Sequence, residues 1–374
     1  MPAGKILIPA KVLTETIYMG AAYLLVISLI LKCPTCGGPD CIKPAGEVFR
    51  EAYGMYAPCP GCRYDKPLDK FTPLVELDYD PAAGRCPDCG KRHLDHVMAH
   101  VLDILIKSGF KSADAALADV GTPLINYGVT LVEPPRLPPK SVVMVVAKVD
   151  KATAHGMLEE IPEIKGVLKR KGKPSDSVGI LDTGSKPHVY ELMAGCDVRA
   201  DVVSSLVGDL CLYRNQSECH IEFWRNNSVK VKAIEKLFLD GLLESKVVVD
   251  GFASVGTLGM LAALGGAKKV IFNDAWLPAI RFLLLNLEVN REALGIEVDL
   301  ISDPGKLPDV GREPVLVARA SGGVEIEVYH GDFRKLNKAI PSCDVCIIDT
   351  FPGVDPSEFI EQWKDITNVK VIPL

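Results

Sequence analysis

The sequence predicts an α/β chain: a doubly wound, Rossmann-like parallel sheet over residues 233–374, preceded by a cysteine-rich module over 1–132 and a small α+β domain over 141–232. Three observations predict it. Short β-branched runs alternate with helix-length apolar stretches, as βαβ units require. An acid stands at the end of several of those runs. Three Cys-Pro-x-Cys turns fall between Cys33 and Cys89, ahead of all of these units. A chain of 374 residues has room for two or three hydrophobic cores.

The sheet can be read strand by strand. Residues 247–249 (VVV) form a buried parallel strand ending at Asp250. A turn bearing Gly251, Gly256 and Gly259 leads into a helix rich in Leu, Met and Ala. A second strand, 270–272, ends at Asn273 and Asp274, and Pro278 then sits early in a helix, where its missing N–H costs little. A third, 325–329, runs into Gly331, Asp332 and Phe333. A fourth, 344–348, leads to Asp349, Thr350 and Phe351, and a fifth covers 369–372. Right-handed crossovers order these strands 3-2-1-4-5, a sheet truncated at its carboxyl end.

The turn after the first strand selects the ligand. A dinucleotide site uses G-x-G-x-x-G, whose close glycines admit a pyrophosphate. Here the run is D-G-F-A-S-V-G-T-L-G, without the G-x-G pair. Its D-x-F-x-x-x-G form, Asp250, Phe252 and Gly256, resembles motif I of the class I S-adenosylmethionine methyltransferases. That resemblance implies S-adenosylmethionine as cofactor, Asp274 as the acid that accepts both ribose hydroxyls, and Asp332 with Phe333 beside the adenine. Around the fourth strand, I-I-D-T-F-P-G-V-D-P-S-E-F-I resembles the D-P-F-G region of the archaeal and eukaryal tRNA guanine-N2 dimethyltransferases. The stretch F-W-R-N-N-S-V-K, ending at Lys230, is similar to the segment preceding motif I in that family, and N-L-E-V-N, ending at Asn290, is common among nucleic-acid-modifying relatives. The likeness covers residues 221–374. The proline of the fourth-strand motif is displaced by two positions and the N-P-x-x-N-R core is missing. The resemblance implies that Asp349 orients an exocyclic amine for in-line methyl transfer and that Phe351 stacks on a flat acceptor. The plainer alternative for Asp349 is a helix cap or Asx turn.

The cysteine-rich module carries the second signal. Cys33/Cys36, Cys59/Cys62 and Cys86/Cys89 are C-P-x-C knuckles, with Cys41, His93, His96 and His100 nearby. A two-residue spacer lets both thiolates reach one tetrahedral ion, so the module is expected to hold one or two structural zinc ions. Cys33, Cys36, Cys59 and Cys62 make one natural four-sulfur set, leaving Cys86 and Cys89 to find Cys41, His93 or His96. Pairing Cys59/Cys62 with Cys86/Cys89 has a similar loop length and stays open. Clustered knuckles fit a reducing compartment better than disulfides, which points to the cytoplasm. Cys196, Cys211 and Cys219 read as buried or capping thiols, and Cys343 and Cys346 as core residues on opposite faces of a strand. His155, His188, His220 and His330 carry no motif.

Residues 17–31 are apolar but shorter than the roughly 20 needed to span a bilayer, and no signal-peptide pattern accompanies them, so no membrane partner is expected. Residues 133–140 (EPPRLPPK) read as a linker. Beyond it, Lys165, Lys169, Arg170, Lys171 and Lys173 form a basic cluster suited to a phosphate backbone or to plain solvent. The formal net charge of −6 excludes a broadly basic nucleic-acid-coating surface, and most of the excess acid lies after residue 232. The sequence therefore points to a methyltransferase acting on a nitrogen in RNA, with tRNA favoured. Two alternatives stand beside it: a methyltransferase for a small molecule or cofactor precursor, and a non-catalytic zinc-ribbon protein that retains the fold. The sequence leaves the oligomeric state open.

Overall fold

The computed structural model describes residues 32–62, 67–77, 80, 82–172, 180–183, 190–219, 224–350 and 354–373. In chain order its strands are β1 (Arg92–His93), β2 (Thr122–Ile125), β3 (Arg136–Leu137), β4 (Val142–Val146), β5 (Ile164–Arg170), β6 (Tyr190–Gly195), β7 (Arg199–Ser205) and β8 (Gly208–Arg214). They are followed by β9 (Val247–Asp250), β10 (Lys269–Asp274), β11 (Ile296–Leu300), β12 (Val315–Gly322), β13 (Glu325–His330), β14 (Cys343–Ile348) and β15 (Thr367–Pro373).

The carboxyl-terminal strands form one seven-stranded sheet in the order β11-β12-β13-β10-β9-β14-β15. Its five parallel members, β13-β10-β9-β14-β15, follow the expected 3-2-1-4-5 order. The expectation of a five-stranded sheet needs correcting. β11 and β12 run antiparallel along the outer edge of β13 and lengthen the sheet there. Alternation along the parallel strands divides two cores. Val248, Val270, Phe272, Val328, Val345 and Ile347 pack under the helices Thr257–Leu264 and Leu277–Val289. Val249, Ile271, Cys346 and Ile348 face Phe333, Phe359 and Trp363 on the other side. Helices on both faces explain why the strands are apolar throughout. Cys343 also lies on this second face. A register shift between Cys343 and Val345 undoes the expected alternation, so Cys343 and Cys346 share a face.

The earlier part of the chain is less divisible than the sequence suggested. A four-stranded sheet, β2-β4-β5-β6, carries on one face the helix Lys151–Glu160, which is capped by the Asp150 carboxylate accepting from Thr153 N–H at 2.8 Å. β2 belongs to the expected amino-terminal module yet pairs with β4, and β1 pairs with β3. Residues 133–140 are thus no free linker, because Leu137 is fully buried and Arg136 is buried beside it. Helix Leu94–Lys107 shares one core with β4 and β5. Inside it Glu163, without exposed surface, pairs with Arg85 at 2.6 Å and Arg92 at 3.3 Å. A buried carboxylate of this kind persists only when its charge is met.

The β7–β8 hairpin docks onto the carboxyl-terminal domain through two asparagines of N-L-E-V-N. Asn286 accepts from Tyr213 N–H at 2.7 Å and donates to its carbonyl at 3.0 Å. Asn290 does the same to Cys211, at 2.9 and 2.7 Å. Four residues of helix rise about 6 Å and two residues of strand about 6.8 Å, so an i, i+4 asparagine pair matches alternate strand residues. Among the described residues no helix is long and apolar enough to cross a membrane, and residues 17–31 lie outside them.

Candidate active site and metal centres

The carboxyl ends of β9, β10, β13 and β14 bring Asp250, Asp274, Asp332 and Asp349 to one edge of the parallel sheet. β9 is where the strand order turns, the place at which open α/β sheets bind ligands. The loop after β9 is shaped by two left-handed residues. Gly256 has φ +93°, and a Cβ there would stand 2.3 Å from Leu283 Cδ1, so only glycine opens this helix. Ser254, at φ 49°, is held in the same region at a cost of about 1 kcal/mol, and its N–H donates to Asp274 Oδ2 at 2.8 Å.

Each acid has a distinct setting. Asp250 is buried, and its Oδ2 accepts from Gly259 N–H at 2.9 Å. Burial pushes its carboxyl up to about 7 against the helix N–H, with the charges of Asp349 and Asp274 adding to the rise. Asp274 is half-buried, and Oδ1 accepts from Trp276 N–H at 2.8 Å while Oδ2 takes Ser254. Burial raises this carboxyl too, opposed by those two N–H groups. Each oxygen keeps a second lone pair, which suits a vicinal diol. Asn273, which the sequence placed only as a neighbour of Asp274, donates to the carbonyls of Gly251 at 3.2 Å and Gly331 at 3.1 Å and so ties three strand ends together.

Asp332 caps the short helix Phe333–Leu336 through Arg334 N–H at 3.0 Å and takes the Arg334 guanidinium at 3.0 Å. Its expected place beside an adenine is therefore shared with an arginine. Phe333 is core rather than pocket wall: it stacks on Trp363 at 4.6 Å with the rings 3° apart. Phe252 packs on Phe333 and Phe359 at 5.2 and 5.0 Å. Asp349 meets Lys230 of helix Trp224–Leu239 at 2.7 and 2.8 Å, one distance to each oxygen. Lys230 ends the stretch F-W-R-N-N-S-V-K, but nothing in the sequence paired it with Asp349. Phe351 lies outside the described residues, as do His188, His220 and Lys173.

Two groups of four sulfurs come together. Cys59, Cys62, Cys86 and Cys89 form one, and Cys33, Cys36, Cys41 and Cys196 the other. The natural set Cys33/Cys36/Cys59/Cys62 is thus replaced by the pairing left open, and the fourth member of the other group is a residue read as a plain buried thiol. His93 belongs to neither. Its Nδ1 accepts from Asp95 N–H at 3.2 Å and caps helix Leu94–Lys107. The knuckles explain the assembly. Gly37 and Gly90, each at φ +69°, close identical turns in which their N–H bonds the carbonyl of Cys33 or Cys86 at 2.9 Å. Sulfur separations are 3.5 Å for Cys33–Cys196 and Cys36–Cys41 and 3.9 Å for Cys41–Cys196. In the second group they are 3.7, 3.7 and 3.6 Å for Cys59–Cys86, Cys59–Cys62 and Cys62–Cys89. A zinc–sulfur bond of about 2.3 Å gives a tetrahedron with edges of about 3.8 Å, so both groups fit that ion. Hydrogen bonds from Cys196 and Cys33 favour the thiolate at Cys41, the form that binds metal.

Two members of the basic cluster have partners. Lys165 is buried and donates to the Val198 carbonyl at 2.5 Å, and Lys171 pairs with Glu191 at 3.4 Å. Lys169 is half-buried and Arg170 is exposed.

No family model and no curated protein matches the chain. Solved structures with some likeness include TYW2 of Pyrococcus horikoshii in complex with MeSAdo, 17% identical over 73% of this chain and 76% of that one, with a TM-score of 0.39. The M. jannaschii tRNA m1G37 methyltransferase is 18% identical over 71% of this chain and 62% of that one, with a TM-score of 0.38. Trm1 of Pyrococcus horikoshii with S-adenosyl-L-methionine is 19% identical over 45% and 40%, with a TM-score of 0.33. The chain spans less than two thirds of the last two. Overlap this loose carries no argument about activity, which has to rest on the strand-end chemistry.

Proposed function

We propose that the chain is an S-adenosylmethionine-dependent methyltransferase whose cofactor sits on Asp250, Gly256, Asp274 and Asp332. One observation carries this reading: the carboxyl ends of β9, β10, β13 and β14 set Asp250, Asp274, Asp332 and Asp349 along one edge of the parallel sheet, around the loop that ends at Gly256. The loop after β9 lacks the close G-x-G pair that a pyrophosphate needs, which favours a nucleoside ligand without one. Asp274 supplies two anchored oxygens to the ribose diol, and the loop from Gly251 to Gly256 offers backbone to the rest of the ligand. Bound there, adenosylmethionine supplies an electrophilic methyl carbon. Asp349, fixed by both contacts to Lys230, accepts an N–H of the acceptor amine and aims its lone pair.

An RNA nitrogen, in tRNA, is the proposed acceptor, on the resemblance of the fourth-strand motif. A small-molecule acceptor is the second reading, favoured by the net charge of −6 and by the pairing of Lys171 with Glu191. Both four-sulfur groups are proposed to hold structural zinc, and twelve free cysteines suit a reducing compartment such as the cytoplasm. The test is methyl transfer from labelled adenosylmethionine to bulk tRNA and to a small-molecule extract. Asp349→Asn should lower transfer by about 100-fold or more and leave cofactor affinity within about twofold. Full transfer by that variant would remove Asp349 from the chemistry, and label only in small molecules would move the second reading ahead.

A further inference from the structure

The two sulfur groups differ in what they touch. Thr35 lies inside the first knuckle, between Cys33 and Cys36, and its hydroxyl accepts from Asn215 Nδ2 at 3.1 Å. The residue after Cys196 is Asp197, whose Oδ1 accepts from Thr35 Oγ1 at 3.4 Å. Asp197 Oδ2 also accepts the N–H groups of Gln216 and Ser217 at 3.0 and 2.8 Å. Asn215 bonds Glu218 at 3.1 Å, and the Glu218 carbonyl accepts from the Trp276 indole at 2.7 Å. Trp276 N–H in turn donates to Asp274 Oδ1. Asp197, Asn215 and Gln216 are all buried, so these bonds run in a low-dielectric interior where each is costly to break.

The loop 215–219 is therefore a strap. One end is held by a metal knuckle and by the residue following a metal ligand, the other by the tryptophan that anchors the cofactor acid. Cys59, Cys62, Cys86 and Cys89 have no such connection among the described hydrogen bonds. Their surroundings are the Lys91 ammonium on the carbonyls of Ala57 and Gly54 and the Arg85 guanidinium on Gly90 and Glu163.

We propose that a thiophilic divalent cation held by Cys33, Cys36, Cys41 and Cys196 is coupled to cofactor binding through residues 197 and 215–218, whereas the cation held by Cys59, Cys62, Cys86 and Cys89 is not. Drawing the knuckle onto Cys196 fixes Thr35 against Asp197. This docks the strap on Trp276 and pre-orders Asp274 for the diol. Linkage makes the effect reciprocal, so cofactor also tightens the cation at the first group. The inference rests on reading the strand ends as the adenosylmethionine site.

The experiment uses the full chain loaded with zinc. Cys36 is exposed and Cys62 half-buried, so serine at either removes a ligand with little loss of packing. Each variant should fall from two zinc ions per chain to one by elemental analysis. Calorimetry should show adenosylmethionine bound about tenfold more weakly by Cys36→Ser and within about twofold of wild type by Cys62→Ser. Asn215→Ala cuts the strap without touching a sulfur or a strand-end acid. It should keep two zinc ions and still weaken the cofactor several-fold. The indole N–H resonance of Trp276, assigned by its loss in Trp276→Phe, reads the strap without cofactor. It should move in Cys36→Ser and Asn215→Ala and stay in Cys62→Ser. Equal effects of Cys36→Ser and Cys62→Ser, or a Trp276 resonance indifferent to Cys36→Ser, would overturn the coupling. Absence of adenosylmethionine binding to wild type would instead overturn the reading of the strand ends, and the resonance keeps the two failures apart.

Discussion

The two four-sulfur groups have the same donors and nearly the same edges, but they close very different lengths of chain. Cys59 and Cys86 are 27 residues apart, whereas Cys41 and Cys196 are separated by 155. The Cys59 group folds a ribbon onto itself. The Cys33 group pins that region to the β6–β7 corner, after the whole β2-β4-β5-β6 sheet has been threaded between its ligands. A metal clip across the longer loop is worth about 1.5 kcal/mol more in chain entropy than one across the shorter, and it joins separate parts of the fold. Donor chemistry sets whether a metal binds. Sequence separation sets what its binding organises.

Removing metal from both groups gives the largest effect expected here. Structural zinc contributes on the order of 10 kcal/mol to folding at neutral pH, so a strong chelator should lower the melting temperature by about 10 °C or more. An unchanged melting curve with both ions removed would break the comparison at its root.

Acidity should separate the sulfur groups from the strand ends, because their pH dependences have opposite signs. Metal-bound thiolates compete with protons, so that contribution is lost as pH falls. Asp250 runs the other way. Its carboxyl is raised from 3.8 in the free residue to about 7 when folded. The folded state therefore holds the extra proton, and the associated stability, full below about 4, is lost as pH rises to about 7. Asp250→Asn keeps an acceptor for Gly259 N–H and has no proton to lose. It should match wild type near pH 4 and exceed it by about 2–4 kcal/mol above pH 7, read from urea midpoints. A constant difference across that range would show that Asp250 is not protonated in the fold.

The sharpest comparison is also the smallest. Cys86 and Cys196 are both 6% exposed, so serine at each costs similar packing and one ligand. Cys196→Ser should destabilise the chain by about 1.5 kcal/mol more than Cys86→Ser, the difference in loop closure. Equal midpoints would mean that the long closure adds nothing.

The same contrast explains what could be read in the sequence. The five parallel strands were legible because burial on both faces makes them continuous apolar runs, and their terminal acids stand out against Val and Ile. β11 and β12 were not, since Glu297, Asp299 and Arg319 interrupt strands with one buried face. The knuckles were visible as spacing, whereas Cys196 carried no local signal and its partner sulfurs are more than 150 residues away. His93 looked like a ligand because a histidine after a knuckle often is one, but a helix starting at the next residue claimed its ring nitrogen. Phe333 was read by its neighbour Asp332, though its ring turns inward to Trp363. Asp349 and Lys230 each stood in a stretch read by resemblance. Their pairing belongs to tertiary structure alone.

The central claim is that the strand-end acids bind adenosylmethionine, and calorimetry on the zinc-loaded chain tests it most directly. Adenosylmethionine should bind with one site per chain. Asp274→Ala should weaken it by about 1.5–3 kcal/mol, the worth of hydrogen bonds to a charged group. No heat with adenosylmethionine, together with binding of NAD, would contradict the account.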